Sequence, residues 1–102
     1  MNKQFEFYQR GAFFSNLENR KVYNLEQLRD LIIKGVDVVV MEQKKSKKVT
    51  RFILAQILFL HHSTSESERL EYIKRRSISS LHNEIRVLAP FENKNLPYYK
   101  DL

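Results

Sequence analysis

Residues 52–60 form the longest apolar stretch of the chain, and only Gln56 interrupts it. The stretch is much shorter than the ~20 residues that a membrane-spanning helix needs. Thr50 stands just before it and is a residue type favoured at helix N-caps, so we expect a helix from Thr50 to about His62. Because apolar side chains cover nearly its whole circumference, this helix has to lie in a protein core or be shared with a partner subunit.

The residues before this helix predict a small sheet and one more helix. Three short pieces rich in aromatic and β-branched residues are typical of strands. These pieces are Phe5 with Phe7, Phe13 with Phe14, and Val22 with Tyr23. Asn24 and Gln27 have the spacing of a capping box, and Gly35 provides the end of the helix that Asn24 opens. Residues 36–41 then predict a buried or half-buried strand, because four of the six are valine.

A third helix is predicted to begin at Ser65, which has the spacing of a capping box with Glu68. Its apolar residues continue to about Leu88, and Pro90 stops it. The fold class that we expect is α+β, with short N-terminal strands, a helix, a valine strand, a buried helix, a long C-terminal helix and an extended tail. We expect residues 1–62 to form a small DNA-binding-type domain, residues 63–90 a helix packed on it, and residues 91–102 the tail.

The composition argues against catalysis and against export. The chain has no cysteine and only two glycines, so it offers no thiolate chemistry and no glycine-rich phosphate loop. Two of its three histidines, His61 and His62, are adjacent and point to different faces of a helix; His82 stands alone. We therefore expect no enzyme, cofactor or metal site. The N-terminus has charges and no apolar signal segment, and we expect a cytoplasmic protein that does not bind membranes.

The positive charge of the chain is concentrated in its first part. The net charge is +6, and such an excess favours an anionic partner, which we predict to be double-stranded DNA. The densest basic group contains no acidic residue and consists of Lys44, Lys45, Lys47, Lys48 and Arg51. It precedes a predicted helix, whose N-terminus attracts phosphate. The alternative is a solvated turn that lysine keeps soluble.

A second basic group lies on the predicted third helix and consists of Arg69, Lys74, Arg75 and Arg76. The spacing places Arg69, Tyr72 and Arg76 on one helix face, from which arginine can bind phosphates or read guanine edges. The alternative is a solvated face with Glu71 as a partner. Four phenylalanines could stack on bases, but aromatic residues in so small a chain are more often core. They are Phe13, Phe14, Phe52 and Phe59.

The last residues are unusually aromatic for a terminus. Tyrosine is favoured at interface anchors, so we predict that residues 95–102 dock on a partner protein. The residues predicted to make contact are Leu96, Pro97, Tyr98, Tyr99 and Leu102. The alternative is an arm that folds back over the chain's own sheet.

Residues 20–59 resemble the N-terminal DNA-binding domain of polyhydroxyalkanoate synthesis regulators. Three pieces carry the resemblance: VYNLEQL at residues 22–28, KGVDVVV at residues 34–40 and VTRFILAQIL at residues 49–58. The third piece is the most specific. The family's asparagine–arginine–arginine element falls on residues 10–14, where the arginine pair is missing. Arg10, Arg20 and Lys21 are available to replace that pair.

The resemblance implies a DNA-binding transcription regulator. It extends to a short regulator of pathogenicity-island genes, and so implies an activator that works with RNA polymerase. Such an activator would dock on a heterodimer of stringent-starvation-protein-like subunits that carries an alarmone nucleotide. Two alternatives remain open: an adaptor that touches only other proteins of the transcription machinery, and an RNA-binding factor, which fits the charge equally well.

Overall fold

A computed structural model describes residues 4–42, 47–60 and 64–87. Within these ranges the strands are β1 (Gln4–Arg10), β2 (Phe13–Asn16), β3 (Val22–Tyr23), β4 (Asp37–Glu42) and β5 (Lys47–Lys48). The helices are α1 (Leu25–Ile33), α2 (Thr50–Leu58), α3 (Glu66–Lys74) and α4, which covers residues 78–87. The structure confirms the α+β class, the N-terminal strands, the first helix and the valine strand.

The strands form one mixed sheet in the order β3-β2-β1-β4-β5. The central strands β1 and β4 run parallel, with Phe7 opposite Val40, and the other described pairs are antiparallel. Gly11 opens the tight turn from β1 to β2 with a φ of 61°, a value that favours glycine at the first position of such hairpin turns. Because β1 and β4 are parallel, the chain has to cross the sheet between them, and β2, β3 and α1 make up that connection.

The core lies where the helices cover one face of this sheet. The strand register places the inward side chains of β1, β2 and β4 on that face of the sheet. Each of the four helices packs apolar residues against them. The cluster consists of Phe7, Phe14, Leu28, Ile32, Val38, Val40, Ile53, Leu54, Ala55, Ile57, Leu58, Ile73, Leu81 and Ile85. Five of these residues belong to α2, so the prediction that this helix is part of the core is confirmed.

The predicted helix caps are present. The side chain of Asn24 accepts a bond of 2.8 Å from the backbone nitrogen of Gln27, whose own side chain accepts one of 2.8 Å in return. Gly35 ends α1 with a φ of 104°, in the left-handed region that favours glycine. Ser65 and Glu68 form the second capping box, at the start of α3.

The long helix predicted from Ser65 to about Leu88 is wrong, because the structure has two helices there. α3 ends at Lys74, and α4 begins at residue 78 after a break at residues 75–77. The Ser77 hydroxyl accepts a 3.0 Å bond from the backbone nitrogen of Ser80, as a helix N-cap does. The five-residue step from Ile73 to Ile78 does not fit helical spacing, and the change of direction lets both helices reach the same core.

Two details of α2 also differ from the prediction. Thr50 is the first residue of the helix and not its N-cap. Its buried hydroxyl accepts a 2.9 Å bond from the backbone nitrogen of Val40 and does not cap the helix. This bond fixes the start of α2 to β4. The helix ends at Leu58, before the predicted end at His62, and Phe59 closes it with a backbone bond to Ala55.

The four phenylalanines predicted to lie in the core occupy different environments. Phe14 is buried and Phe59 packs half-buried against the core. Phe13 is 55% exposed and Phe52 is 44% exposed, so the prediction is wrong for these two. Neighbouring residues of a strand point to opposite faces, which places Phe13 on the face away from the helices, whereas Phe52 lies on the outer side of α2.

Several predictions concern residues outside the described ranges. These include the stop at Pro90, the tail of residues 91–102, and Lys44 and Lys45 of the first basic group. None of the helices formed by residues 4–42, 47–60 and 64–87 is long and apolar enough to cross a membrane.

Candidate nucleic-acid interface

The described members of the first basic group lie at an edge of the sheet and at the start of α2. Lys47 and Lys48 form β5, where they pair with Glu42 and Met41 of β4. The chain then enters α2, whose first turn contains no acidic residue and whose N-cap makes no side-chain hydrogen bond. Arg51 lies in that turn. Lys47, Lys48 and Arg51 are all exposed, and we call these three residues the basic edge.

The basic edge is suited to contacts with anions. The backbone N–H groups at the start of a helix lack partners within the helix and carry a partial positive charge. Exposed cations beside them add to that potential. The bond between Thr50 and Val40 holds these N–H groups next to β5. Glu42, which stands opposite Lys47, is the nearest carboxylate in the register and reduces the potential locally.

The structure divides the second basic group. Arg76 belongs to a junction between α3 and α4: its guanidinium donates to the carbonyl of Tyr72 at 2.7 Å and to Glu84 Oε1 at 3.3 Å. It also stacks on the Tyr72 ring at 3.4 Å from the centroid. The Tyr72 hydroxyl donates to Glu84 Oε2 at 2.6 Å. We call Tyr72, Arg76 and Glu84 the arginine–tyrosine junction.

Burial raises the pKa of Tyr72, and the hydrogen bond to Glu84 acts in the same direction. Arg69 is also bound within the chain, since it donates to the carbonyl oxygen of Thr64 at 2.7 Å. Any contact of Arg69 or Arg76 with DNA would have to compete with these bonds.

Lys74 and Arg75 are more accessible than these two arginines. Lys74 bonds to Glu71 at 2.9 Å, but both side chains are about two thirds exposed, and a pair of this kind contributes little. Arg75 caps the end of α3 and is exposed. It shares a shallow pocket with Glu68 and Glu71, which lower the positive potential around it.

A groove of about 480 Å³ is lined by three cations, two from the first basic group and one from the second. Lys48 and Arg51 of the basic edge line it, and Lys74 of α3 lines it too.

Of the residues available to replace the missing arginine pair, Arg10 follows Gln9, which stands opposite Glu42 in the register. Arg10 is therefore at the same end of the sheet as Lys47. Arg20 and Lys21 lie in the turn before β3 and are exposed.

The sequence does not predict the contacts that Arg86 and His82 make. Arg86 donates to the carbonyls of Ile32 and Val36 and to Asp37, at 2.7, 3.0 and 2.6 Å. Arg86 thereby connects α4 to the end of α1 and to the residues that lead into β4. This long-range contact has no local sequence signal.

His82 is buried, and both of its ring nitrogens have partners. Its Nε2 accepts from the backbone nitrogen of Val38 at 3.0 Å, and its Nδ1 lies 2.9 Å from the carbonyl oxygen of Ile78. Burial lowers its pKa. His82 therefore links α4 to β4 as part of the buried structure.

The stretch that contains α1, β4, the basic edge and α2 has a known counterpart. Residues 16–65 match the PHB/PHA accumulation regulator DNA-binding domain. The resemblance seen over residues 20–59 is confirmed for this segment, which makes up just under half of the chain. No curated protein and no solved structure matches the chain.

The limits of this PHB/PHA-type domain divide the candidate residues. The basic edge lies inside it, whereas Arg69, Lys74, Arg75 and Arg76 lie outside it. The central strand β1 also lies outside, although it pairs with β4 over six positions. The sheet on which the domain is built is therefore completed by residues that precede the match.

Proposed function

We propose that the chain is a DNA-binding transcription regulator that binds the phosphates of duplex DNA through its basic edge. One observation carries this proposal: Lys47, Lys48 and Arg51 are exposed beside the start of α2, and all three belong to the PHB/PHA-type domain. Most protein–DNA contacts go to the backbone, for which lysine, arginine and helix N-termini are suited. Lys44 and Lys45 precede these residues in the sequence and add charge.

Contact with bases requires residues other than those buried in α2. Six of the nine residues of α2 are buried, so this helix has little free surface with which to enter a groove as a recognition helix. Lys74 and Arg75 are exposed, and we propose them as additional phosphate contacts. Arg69 and Arg76 are the least suitable members of the predicted set, since their guanidinium groups have partners. The protein acts by binding and not by catalysis, in the cytoplasm.

The test is the salt dependence of duplex binding by the full chain. Replacing Lys47, Lys48 and Arg51 with alanine should weaken binding to all duplexes alike. The slope of log affinity against log salt should flatten by about 0.9 for each phosphate that the variant no longer neutralises. Lys34→Ala is the control, because Lys34 is exposed within the PHB/PHA-type domain but lies before the start of β4, whereas Lys47 and Lys48 pair with the end of that strand.

An unchanged salt slope in the triple variant would contradict the use of the basic edge. Competition with structured RNA distinguishes the nearest alternative. If RNA displaces the duplex at equal concentration of sites and the duplex does not displace RNA, the chain is an RNA-binding factor. If neither binds and partner proteins do, it is an adaptor.

We further propose that the regulator is an activator of the pathogenicity-island type. It would act with RNA polymerase and a stringent-starvation-protein-like heterodimer that carries an alarmone nucleotide. This rests on the resemblance and on the aromatic composition of the tail. The residues proposed to contact the heterodimer are Leu96, Pro97, Tyr98, Tyr99 and Leu102.

Deletion of residues 91–102 tests the role of the tail. Docking predicts an unchanged melting temperature together with loss of heterodimer binding, whereas an arm that packs on its own sheet predicts a lower melting temperature. Tyr98→Ala with Tyr99→Ala should reproduce the deletion. A truncated chain that keeps both its stability and its affinity for the heterodimer would contradict the proposal.

A further inference from the structure

The groove between α2 and the two C-terminal helices has an apolar floor that the fold leaves open. Phe52 and Ile78 contribute to it, and these side chains are 44% and 41% exposed. Leu70 and Ile73 complete the floor. Large apolar side chains that are exposed next to one another on a small domain indicate a contact surface. We call this feature the α2–α3 groove.

The rim of the α2–α3 groove is positively charged. Lys48 and Arg51 line it from one side and Lys74 from the other, and no carboxylate is among the described residues that line it. Lys74 has Glu71 as a partner, but that bond is solvent-exposed and weak enough to be exchanged for another carboxylate. The three cations come from two separate parts of the sequence and surround the same apolar floor.

We propose that the α2–α3 groove binds an acidic amphipathic helix of a partner protein. Such a helix presents apolar side chains at i, i+3, i+4 and i+7, which fit an elongated apolar floor. Its carboxylates would face the cations of the rim, and this charge complementarity selects acidic sequences over neutral or basic ones.

This inference does not depend on DNA binding, but the two sites share residues. Lys48 and Arg51 belong to both the basic edge and the groove rim, and Lys74 of the rim is also a proposed phosphate contact. A duplex and an acidic helix would therefore compete for them, whereas the apolar floor serves the helix alone. Substitutions in the floor separate the two activities.

The test begins with selection of helical peptides, about four turns long, from a displayed random library on the immobilised full chain. The expected result is enrichment of peptides with apolar residues at helical spacing and with aspartate and glutamate beside them. One enriched peptide is then used as the probe in fluorescence anisotropy. Enrichment of basic or neutral peptides would overturn the proposal.

Floor variants identify where the probe binds. Ile78→Ser and Phe52→Ser should each raise its Kd by about tenfold or more, since each replaces an apolar side chain at the interface by a hydroxyl. Val87→Ser is the matched control, because Val87 is 61% exposed on α4 and does not line the groove. Lys74→Glu should weaken the probe as well. Both floor variants should keep the wild-type affinity for duplex DNA.

Three further outcomes would overturn the proposal. The first is wild-type affinity for the probe in both floor variants. The second is a dimer in sedimentation equilibrium that Ile78→Ser dissociates, because a second copy would then fill the groove. The third is a gain in probe affinity on deletion of residues 91–102, because the tail would then be the natural occupant.

Discussion

The basic edge and the arginine–tyrosine junction both contain positively charged side chains, but the surroundings of those side chains differ. Lys48 and Arg51 are exposed beside the start of α2, and neither forms an ion pair with another described residue. Arg76 donates to Tyr72 and Glu84 and stacks on an aromatic ring, so its charge holds α3 to α4. The neighbours of a basic residue decide whether it is available to a ligand, and the number of charges alone does not show this.

The largest effect is expected beneath the basic edge, in α2. Leu54 is fully buried, so Leu54→Ala should cost about 2–5 kcal/mol of unfolding free energy, measured by urea denaturation. Phe52→Ala on the same helix should cost clearly less, because that side chain is 44% exposed. If Leu54→Ala kept its stability and no longer bound DNA, α2 would be a recognition element and the comparison would fail.

Arg86 should rank next, because it is the most extensively bonded of the described arginines in α3 and α4. Arg86→Ala removes bonds to two carbonyls and to Asp37. Losing these charge-assisted bonds should cost about 2–3 kcal/mol. Arg86→Lys should recover only part of the loss, since an ammonium group does not reproduce the forked geometry. A fully stable Arg86→Ala variant would show that water replaces all three bonds.

Arg76→Ala should have a smaller effect on stability, about 1 kcal/mol, since its ion pair with Glu84 is partly exposed. Its duplex affinity should be unchanged at a temperature where the variant is folded. Arg51→Ala should show the reverse, with a normal melting temperature and a flatter salt slope. This reciprocal pair is the most direct test of the comparison, and loss of DNA binding in Arg76→Ala without loss of stability would reverse the two assignments.

The pH dependence of stability should be the smallest effect and should come partly from His82. Because Nε2 accepts a bond from Val38, protonation of the ring breaks it. Burial lowers the folded-state pKa below the usual value of 6.5, while Asp37 opposes the shift and Arg86 adds to it. The unfolded chain therefore takes up the proton first as the pH falls. The contribution is complete above about pH 6.5 and is lost as the pH falls from there towards the lower folded-state pKa.

Urea midpoints measured on both sides of that window test this dependence. His82→Gln should be less stable at neutral pH and should show a weaker decrease on acidification. An equal decrease in both proteins would assign the pH dependence to other groups.

The parts of the fold that local chemistry determines are predictable. The capping boxes at Asn24 and Ser65 and the helix end at Gly35 each depend on residues a few positions apart, and each is present. The break at residues 75–77 escapes the prediction, although the step from Ile73 to Ile78 is visible in the sequence. The capping box before the break and the apolar residues on both sides of it together resemble one continuous helix.

The candidate site is predictable only in part. The basic edge is a sequence cluster, and Lys47, Lys48 and Arg51 are exposed in the structure. The α2–α3 groove is not predictable, because it depends on the packing of α3 against α2 and on the turn that brings Ile78 beside Phe52. The ion pair of Arg76 is not predictable from the sequence for the same reason, because its partner Glu84 lies on the other side of that turn.

The central position of β1 has a consequence for the order of events during synthesis. Gln4 pairs with Asp37, so the first strand leaves the ribosome before its parallel neighbour exists, and at ordinary rates of translation the delay is on the order of seconds. During that time the N-terminal hairpin has an open hydrogen-bonding edge and Phe7 is uncovered. We expect such a nascent chain to be protected by a chaperone that binds exposed apolar segments. A fragment that begins at residue 16 would have the opposite defect, because it lacks β1 and leaves β4 without its parallel partner.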